Sequence, residues 1–491
     1  MAGRLNVKNL KRGISYFKRN GLRESYYKAM ERLKRDEDEK NYTQKVLDAQ
    51  PSPSEAIRQK NTTFERPYLI SILVPAYDTD EEVFNKMLES VASQTYTNWE
   101  LCIADASPTR RLQGEVQSFV ARHSLDAKGV SGPEIFRKKV KYRYLEKNRG
   151  ISANLNEALK DATGDYVTFL DHDDVLTTDA LYEVISVLNG RSAHVHTTSQ
   201  IPVRFIYSDE DKVSYDDGNY FDYHKKTDFD PAMLLTNNYI CHLCIAESDL
   251  IKSVKGFDPD FDGSQDYDLS LRLTEKLKDD EIVHIPKVLY HWRSVKASTA
   301  ENPEAKLYAY EAGKRAIEAS LERRGIKAEV RNTKHLGFFG IDFPKDSGSI
   351  LRMSPKEFAS MNEDSFKNIK EDYILVMADS LKCTDEQIEN LKGPMALDFA
   401  GAATGKIIRG NLIESAGYER LGKGGISPCF SGLNRHFSGY LHRASLLRCV
   451  DAYDQGCVLY KRKALEWRTD GPELKGNLRC IYVPEAEFTR I

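Results

Sequence analysis

Apolar residues run almost unbroken from Tyr68 to Val74 and stop at Pro75-Ala76-Tyr77-Asp78, which predicts a strand buried on both faces. A helix is expected from about Glu81 to Gln94. A second strand, Trp99-Glu100-Leu101-Cys102-Ile103-Ala104, then ends at Asp105. Val140 to Glu146 predicts a third strand, leading into Asn148-Arg149-Gly150-Ile151-Ser152 and a helix through Leu159. The fourth, Tyr166-Val167-Thr168-Phe169-Leu170, opens onto Asp171-His172-Asp173-Asp174. Strands alternating with helices predict an α/β fold built on a parallel sheet. Asp78, Asp105, Asn148 and Asp171 each follow a strand's carboxyl end, so the topology would gather them on the rim where open α/β sheets bind ligands.

Three carboxylates in four residues at such a rim suit a hard divalent cation, magnesium or manganese, which commonly accompanies a phosphate-bearing substrate. The competing reading is that these aspartates cap the next helix, expected near Thr177. Downstream, Val283-His284-Ile285-Pro286-Lys287-Val288-Leu289-Tyr290-His291-Trp292-Arg293 predicts an edge-type strand.

At 491 residues the chain is long enough for more than one core. Its net charge of -3 gives no field favouring nucleic acid, and none is expected as a partner. Eight scattered cysteines, mostly in apolar runs, suggest reduced thiols of a cytoplasmic protein. Cys241-His242-Leu243-Cys244 lacks the second ligand pair of a zinc finger. No secretion signal or membrane-length apolar run is visible in the sequence. Residues 1–35 are strongly basic, with Leu10, Ile14 and Phe17 on one helical face and Tyr26, Met30 and Leu33 repeating the spacing after Asn20-Gly21. This pattern fits a helical hairpin packed on the main domain, or attachment to an anionic membrane at the inner face of the plasma membrane. From Arg35 to Arg66 the chain is highly charged and, with Pro51-Ser52-Pro53-Ser54, is expected to be linker with one helix.

Taken in order, these motifs resemble glycosyltransferase family 2 over roughly residues 68–300. The resemblance implies the GT-A fold, a mixed, mostly parallel sheet with flanking helices, and a divalent cation, Mn or Mg, as cofactor. It places Pro75, Tyr77, Asp78, Asp105, Asn148, Gly150, Asn154 and Asp171 along a nucleotide-sugar donor, UDP- or dTDP-linked, with Asp105 at the base. It assigns Asp171, Asp173 and Asp174 to the metal, with His291 as a further metal or diphosphate ligand. Gly256-Phe257-Asp258 and Gly263-Ser264-Gln265-Asp266-Tyr267-Asp268-Leu269 are similar to the acceptor loop and its helix, with Asp266 at the catalytic base and Gln265 and Trp292 toward the acceptor. The chain departs from the family in having Gln265 where an acid is usual, and Asp78 where Asn is commoner. The activity implied is inverting transfer of a hexosyl, N-acetylhexosaminyl or rhamnosyl unit to a lipid-linked or growing bacterial surface polysaccharide, O-antigen or capsule. A catalytically silent, transferase-like scaffold is the alternative; intact acids at 171–174 and 266 speak against it. A nucleotidyltransferase would carry a Gly-rich, basic loop where Pro75-Ala76-Tyr77-Asp78 stands.

Self-comparison adds a second copy. Asp372-Tyr373-Ile374-Leu375-Val376-Met377-Ala378-Asp379-Ser380-Leu381 echoes residues 165–174, with Ala378, Ser380 and Leu381 in place of the three acids. Cys480-Ile481-Tyr482-Val483-Pro484 echoes residues 282–286 and puts Thr489 where His291 stands. Three regions are therefore expected: basic helices and linker at 1–66, a GT-A domain at 67–330, and a truncated, non-catalytic GT-A-like domain at 331–491. The last could cover the first, dimerise or grip a polymeric acceptor.

Overall fold

The computed structural model describes the chain except residues 1–16, 19–20, 23–24, 31–40, 127–132, 196–200, 216–217, 295–306, 422–423 and 470. The basic segment expected at 1–35 lies largely outside the described residues. Two compact units emerge: residues 39–229 with 238–317, and residues 230–237 with 318–491 and the described part of the first 38. Among the described residues no helix is long and apolar enough to cross a membrane.

The first unit is built on β1 (Ile70–Ala76), β2 (Trp99–Asp105), β3 (Val140–Tyr144), β4 (Tyr166–Phe169), β5 (Val175–Leu176), β6 (Phe205–Ser214), β7 (Tyr220–His224), β8 (Cys244–Glu247) and β9 (Ile282–Ser294). They form one mixed sheet in the order β3-β2-β1-β4-β8-β6-β9-β5, with β7 on β6. Every residue of β1 and β2 is buried, as their mostly apolar runs require, and the polar Ser71 and Glu100 are paired with each other. Pro75 is tolerated inside β1 because of where β4 stops. The Leu73 carbonyl points toward β4 and takes Leu170 N–H, whereas the Ala76 carbonyl points toward β2 and takes Ala106 N–H. Pro75, two residues after Leu73, thus turns its missing donor toward β4, whose pairing ended at Leu73↔Phe169.

The helix Glu81–Ala92 opens on Asp80, whose carboxylate accepts from Glu82 and Val83 N–H. It packs Val83, Phe84, Met87, Leu88 and Val91 against the sheet. Each buried side chain of this size is worth about 1.5–3 kcal/mol relative to exposure. Because β2 and β4 flank β1 on opposite sides, the chain reverses its direction of travel across the sheet between β1 and β4. That switch point opens a crevice at the carboxyl ends of the strands. The strand expected at the sheet edge, β9, is not outermost: the two-residue β5 covers it at Val175↔His291 and Leu176↔Tyr290.

The second unit contains the hairpin β10 (Glu329–Asn332) and β11 (Phe339–Asp342), then β12 (Ile350–Met353), β13 (Tyr373–Met377), β14 (Leu381–Lys382), β15 (Ala400–Arg409) and β16 (Leu412–Ser415). After the hairpin β17 (Tyr418–Arg420) and β18 (Ile426–Pro428) come β19 (Arg448–Val450), β20 (Cys457–Lys461), the hairpin β21 (Leu465–Arg468) and β22 (Gly471–Leu474), and β23 (Arg479–Arg490). Its main sheet runs β12-β13-β20-β15-β23-β14. This is the order β1-β4-β8-β6-β9-β5 again, with every neighbouring pair in the same relative direction.

The registers also coincide. Phe205↔Ile282 and Ile206↔Val283 in the first sheet match Ala402↔Cys480 and Ala403↔Ile481 in the second, and Val175↔His291 matches Lys382↔Thr489. Both ladders slip at an equivalent place, after Ser208↔Ile285 and after Gly405↔Val483, where Pro286 and Pro484 supply no N–H; a second shift follows Asp209 in the first ladder and Ala400 in the second. Among the described residues nothing corresponds to β2 and β3. Residues 354–372 between β12 and β13 hold two short helices, Pro355–Ala359 and Glu363–Lys367.

Candidate functional site

At the end of β4 the chain turns tightly, Asp174 N–H reaching the Asp171 carbonyl at 3.2 Å. This brings carboxylate oxygens of Asp171, Asp173 and Asp174 within 4.8 Å of one another. None of them caps the following helix, which begins at Ala180, after β5, with Asp179 at its cap position. The helix expected near Thr177 therefore starts later, at Ala180. Asp174 is wholly buried; Tyr290 O–H donates to its Oδ2 at 2.5 Å and Arg293 N–H to its Oδ1 at 2.7 Å. Burial, then the charges of Asp173 and Asp171, push its carboxyl well above the ordinary range. Burial raises Asp171 as well, with Asp173 adding to it and His242 opposing. A divalent cation would relieve this crowding, and three carboxylates are the donor chemistry that magnesium or manganese takes. The residues fit the ion.

His291 is not part of that group. Its Nδ1 lies 2.5 Å from Asp211 Oδ1, its ring packs on Tyr220, and the other Asp211 oxygen accepts from Tyr42 O–H. The residues expected along a donor stand as follows. Asp78 sits beyond β1 with φ +45°, a left-handed conformation that Asn and Asp tolerate best among residues with a Cβ, so either fits. Its N–H donates to Ser107 Oγ, and Tyr77 beside it is exposed. Asp105 is fully buried, its oxygens accepting from Tyr142 O–H at 2.5 Å and Ser107 N–H at 2.8 Å. Asn148 Oδ1 accepts from Gly150 N–H and Asn154 Nδ2, closing the turn into the helix Ile151–Asp161. Asp262 completes that helix start from a distant loop by accepting from Ser152 N–H at 3.0 Å.

Asp266 lies in the first turn of the helix Gln265–Thr274. Asn238 Nδ2 donates to its Oδ2 at 2.7 Å, and the Cys241 thiol lies 3.7 Å from the same oxygen. Asp266 also contributes to the field at Asp171, so it and the acid cluster share one electrostatic environment. Gln265 Oε1 accepts from Gly263 N–H, a task that an amide or a carboxylate oxygen performs equally. Half-buried Trp292 has Lys212 Nζ 5.6 Å from its ring centre and the His242 ring edge-on at 6.0 Å.

Sequence reasoning missed a histidine system on β6. Three consecutive acids are buried there, and each meets imidazole: Asp209 with His284, Glu210 with His224 and His242, Asp211 with His291. The His242 ring stacks on Tyr290 at 4.5 Å. Burial works against its charge, but Cys241 and Glu210 raise it well above an ordinary histidine. Glu210, Cys241 and His242 form a second group with ligand atoms within 4.8 Å of one another. The available signal was the run Asp209-Glu210-Asp211, which places acids on both faces of a strand that is otherwise apolar at its start.

In the second sheet these polar pairs are lost together. Asp174 with Tyr290 becomes Leu381 with Phe488, and Asp211 with His291 becomes Ile408 with Thr489. Losing one partner alone would leave a buried polar group unmet, at a cost of about 1–3 kcal/mol. Arg490 donates to Ser380 Oγ, which stands at the place of Asp173, and also pairs with Glu414 and Asp454. A side-chain cation occupies that turn.

The sequence model of Glycosyl transferase family 2 matches residues 71–243, the stretch from β1 through the aspartate turn to the start of β8. An uncharacterized protein of Sinorhizobium fredii, y4gI, is 39% identical over 256 residues, covering 52% of this chain and 26% of that protein. The O-antigen biosynthesis protein RfbC of Myxococcus xanthus is 29% identical over 282 residues, covering 57% of this chain and 20% of its own length. The chain thus spans about a quarter or less of these relatives. Among solved structures, S. aureus TarS 1–349 in complex with UDP-GlcNAc overlaps loosely, at 19% identity and a TM-score of 0.37, covering 51% of this chain and 66% of that one. Residues 71–243 form a glycosyltransferase family 2 domain, in a GT-A-like mixed sheet whose strand order β1-β4-β8-β6-β9-β5 is repeated in the second unit.

Proposed function

We propose that this chain is a metal-dependent, inverting glycosyltransferase that moves a sugar from a UDP- or dTDP-linked donor to a lipid-linked or growing bacterial surface polysaccharide. The observation that carries the reading is the convergence of Asp171, Asp173 and Asp174 at the β1/β4 switch point, with Asp266 in their field. Support for the polysaccharide setting comes from the family 2 domain and from the similarity to an O-antigen biosynthesis protein. Asp171, Asp173 and Asp174 would hold the cation, which when bound offsets negative charge on a departing diphosphate. Asp78 and Asp105 border the crevice where the nucleotide would lie.

Asp266 takes the proton from an acceptor hydroxyl as that oxygen bonds to the anomeric carbon. The bond from that carbon to the diphosphate oxygen breaks on the opposite face, and configuration inverts. Asn238 holds the carboxylate by its Oδ2 and directs the other oxygen. Asp266→Asn tests the assignment: transfer should fall by at least a thousandfold while donor affinity stays within about threefold. Equal loss of both would move Asp266 from catalysis to donor binding or folding.

A further inference from the structure

The second unit, although its aspartate turn is lost, contains a cavity of about 340 Å³ between the β10–β11 hairpin and residues 442–447. Its volume is at the small end of the range for sites that enclose a ligand. The polar wall comprises Arg331, Lys334, His335, His442, Ser445 and Glu485, and Phe339 and Leu446 contribute apolar surface.

His335 is the informative residue. Its backbone is fixed, with N–H donating to Thr333 Oγ1 and that hydroxyl lying 3.1 Å from the His335 carbonyl. Its ring lies flat on His442, 3.7 Å between centres and 17° between planes, while His442 Nδ1 is engaged by Ser438 Oγ at 2.8 Å. Only 8% of His335 is exposed, yet neither ring nitrogen has a hydrogen-bond partner among the described residues. Leaving such groups unmet costs about 1–3 kcal/mol each, so a ring held in this way is suited to a ligand that meets them.

Burial, with the charges of Lys28 and Lys334, pushes His335 down to about 3, so the ring is neutral near pH 7. A neutral imidazole presents one donor and one acceptor. An anion could satisfy only the first; hydroxyl groups satisfy both. The neighbouring wall has the same mixed character, since Arg331 is shared between Asp342 at 3.0 Å and Glu485 at 2.8 Å. Donors and acceptors are thus interleaved without a dominant charge, beside an apolar face able to take the C–H side of a pyranose.

We propose that this cavity is a saccharide-binding site that holds a short segment of glycan through its hydroxyl groups. That the glycan is the polymer extended by the first unit rests on the glycosyltransferase reading; the binding chemistry does not. The truncated repeat would then have exchanged catalysis for grip.

The test applies the full chain to an array of bacterial surface-polysaccharide fragments and titrates any retained fragment by calorimetry. Two variants accompany it: His335→Phe, which keeps a flat ring but removes both nitrogens, and Ser445→Trp, which fills the cavity from a half-exposed position. Binding of at least one fragment, weakened more than tenfold by both variants while Mn2+-dependent UDP-sugar binding is unchanged, is the expected result. No retained fragment, or a fragment bound equally well by both variants, overturns the proposal. Loss of UDP-sugar binding in the parent chain alone would instead count against the glycosyltransferase reading and leave the glycan result to be judged separately.

Discussion

Gly150→Ala is the sharpest structural test of how the site is assembled. Gly150 has φ +96° and ψ 163°, a region open essentially to glycine alone. A Cβ there would also run into the Asp262 carboxylate, which caps the helix Ile151–Asp161 through Ser152 N–H. The backbone strain is worth about 1–3 kcal/mol, and displacing the cap about 1 kcal/mol. The sum, roughly 2–4 kcal/mol, should lower the melting temperature by about 5–15 °C in a domain of this size.

Asp262→Ala alone removes only the cap and should cost about 1 kcal/mol. In the double variant the clash has no partner and the cap is lost once, so the combined cost should fall short of the sum by about 1 kcal/mol. Urea unfolding of the four proteins measures that coupling. Strict additivity, or a Gly150→Ala protein within about 0.5 kcal/mol of the parent, would refute the reasoning. Because Asp262 lies in the loop that leads into Asp266, the same variant should slow transfer more than it weakens donor binding.

Two further outcomes are expected. Asp174 has a folded value well above the ordinary aspartate value of 3.8, so between the two the native state keeps a proton that the unfolded chain has released. Its contribution to stability is therefore present below 3.8 and lost as pH rises toward the raised folded value. In metal-free protein Asp174→Asn should gain on the parent as pH rises from 3.8 toward that folded value and keep a constant advantage above it, and Mn2+ should restore the parent; a pH-independent difference in urea unfolding across that window would contradict this. Asn238→Ala removes the donor to Asp266 Oδ2, a charge-assisted bond worth about 1.5–3 kcal/mol, and should lower kcat roughly 10- to 100-fold with donor affinity held. A change in donor affinity alone would place Asn238 elsewhere in the site.

Much of this architecture was legible because it depends on local pattern. Buried parallel strands must be continuously apolar, so β1, β2 and β4 stood out, and the acids after β4 interrupt that pattern at a strand's end. The echo between residues 165–174 and 372–381 was legible for the same reason, and the strands that carry it, β4 and β13, each pair in parallel with the strand before them in the repeated order. Partnerships across the sheet were not legible. His291 looked available as a ligand because its partner, Asp211, is 80 residues away in sequence. Asn148 joins Gly150 to Asn154, and Asp262 packs on Gly150, contacts that no spacing rule connects. Cys241-His242 lacks a second Cys/His pair in the sequence, whereas its neighbours in space are Glu210 from β6 and Asp266 from the helix Gln265–Thr274.

The central claim is that the turn at Asp171-His172-Asp173-Asp174 binds a cation together with a nucleotide-sugar. Calorimetric titration of UDP- and dTDP-sugars into the full chain, with Mn2+, with Mg2+ and with chelator, tests it most directly when run beside Asp173→Asn. The expected result is donor binding that requires the metal and weakens at least tenfold in Asp173→Asn. Binding that is indifferent to metal and unchanged in Asp173→Asn, or no donor bound with either ion, would contradict it.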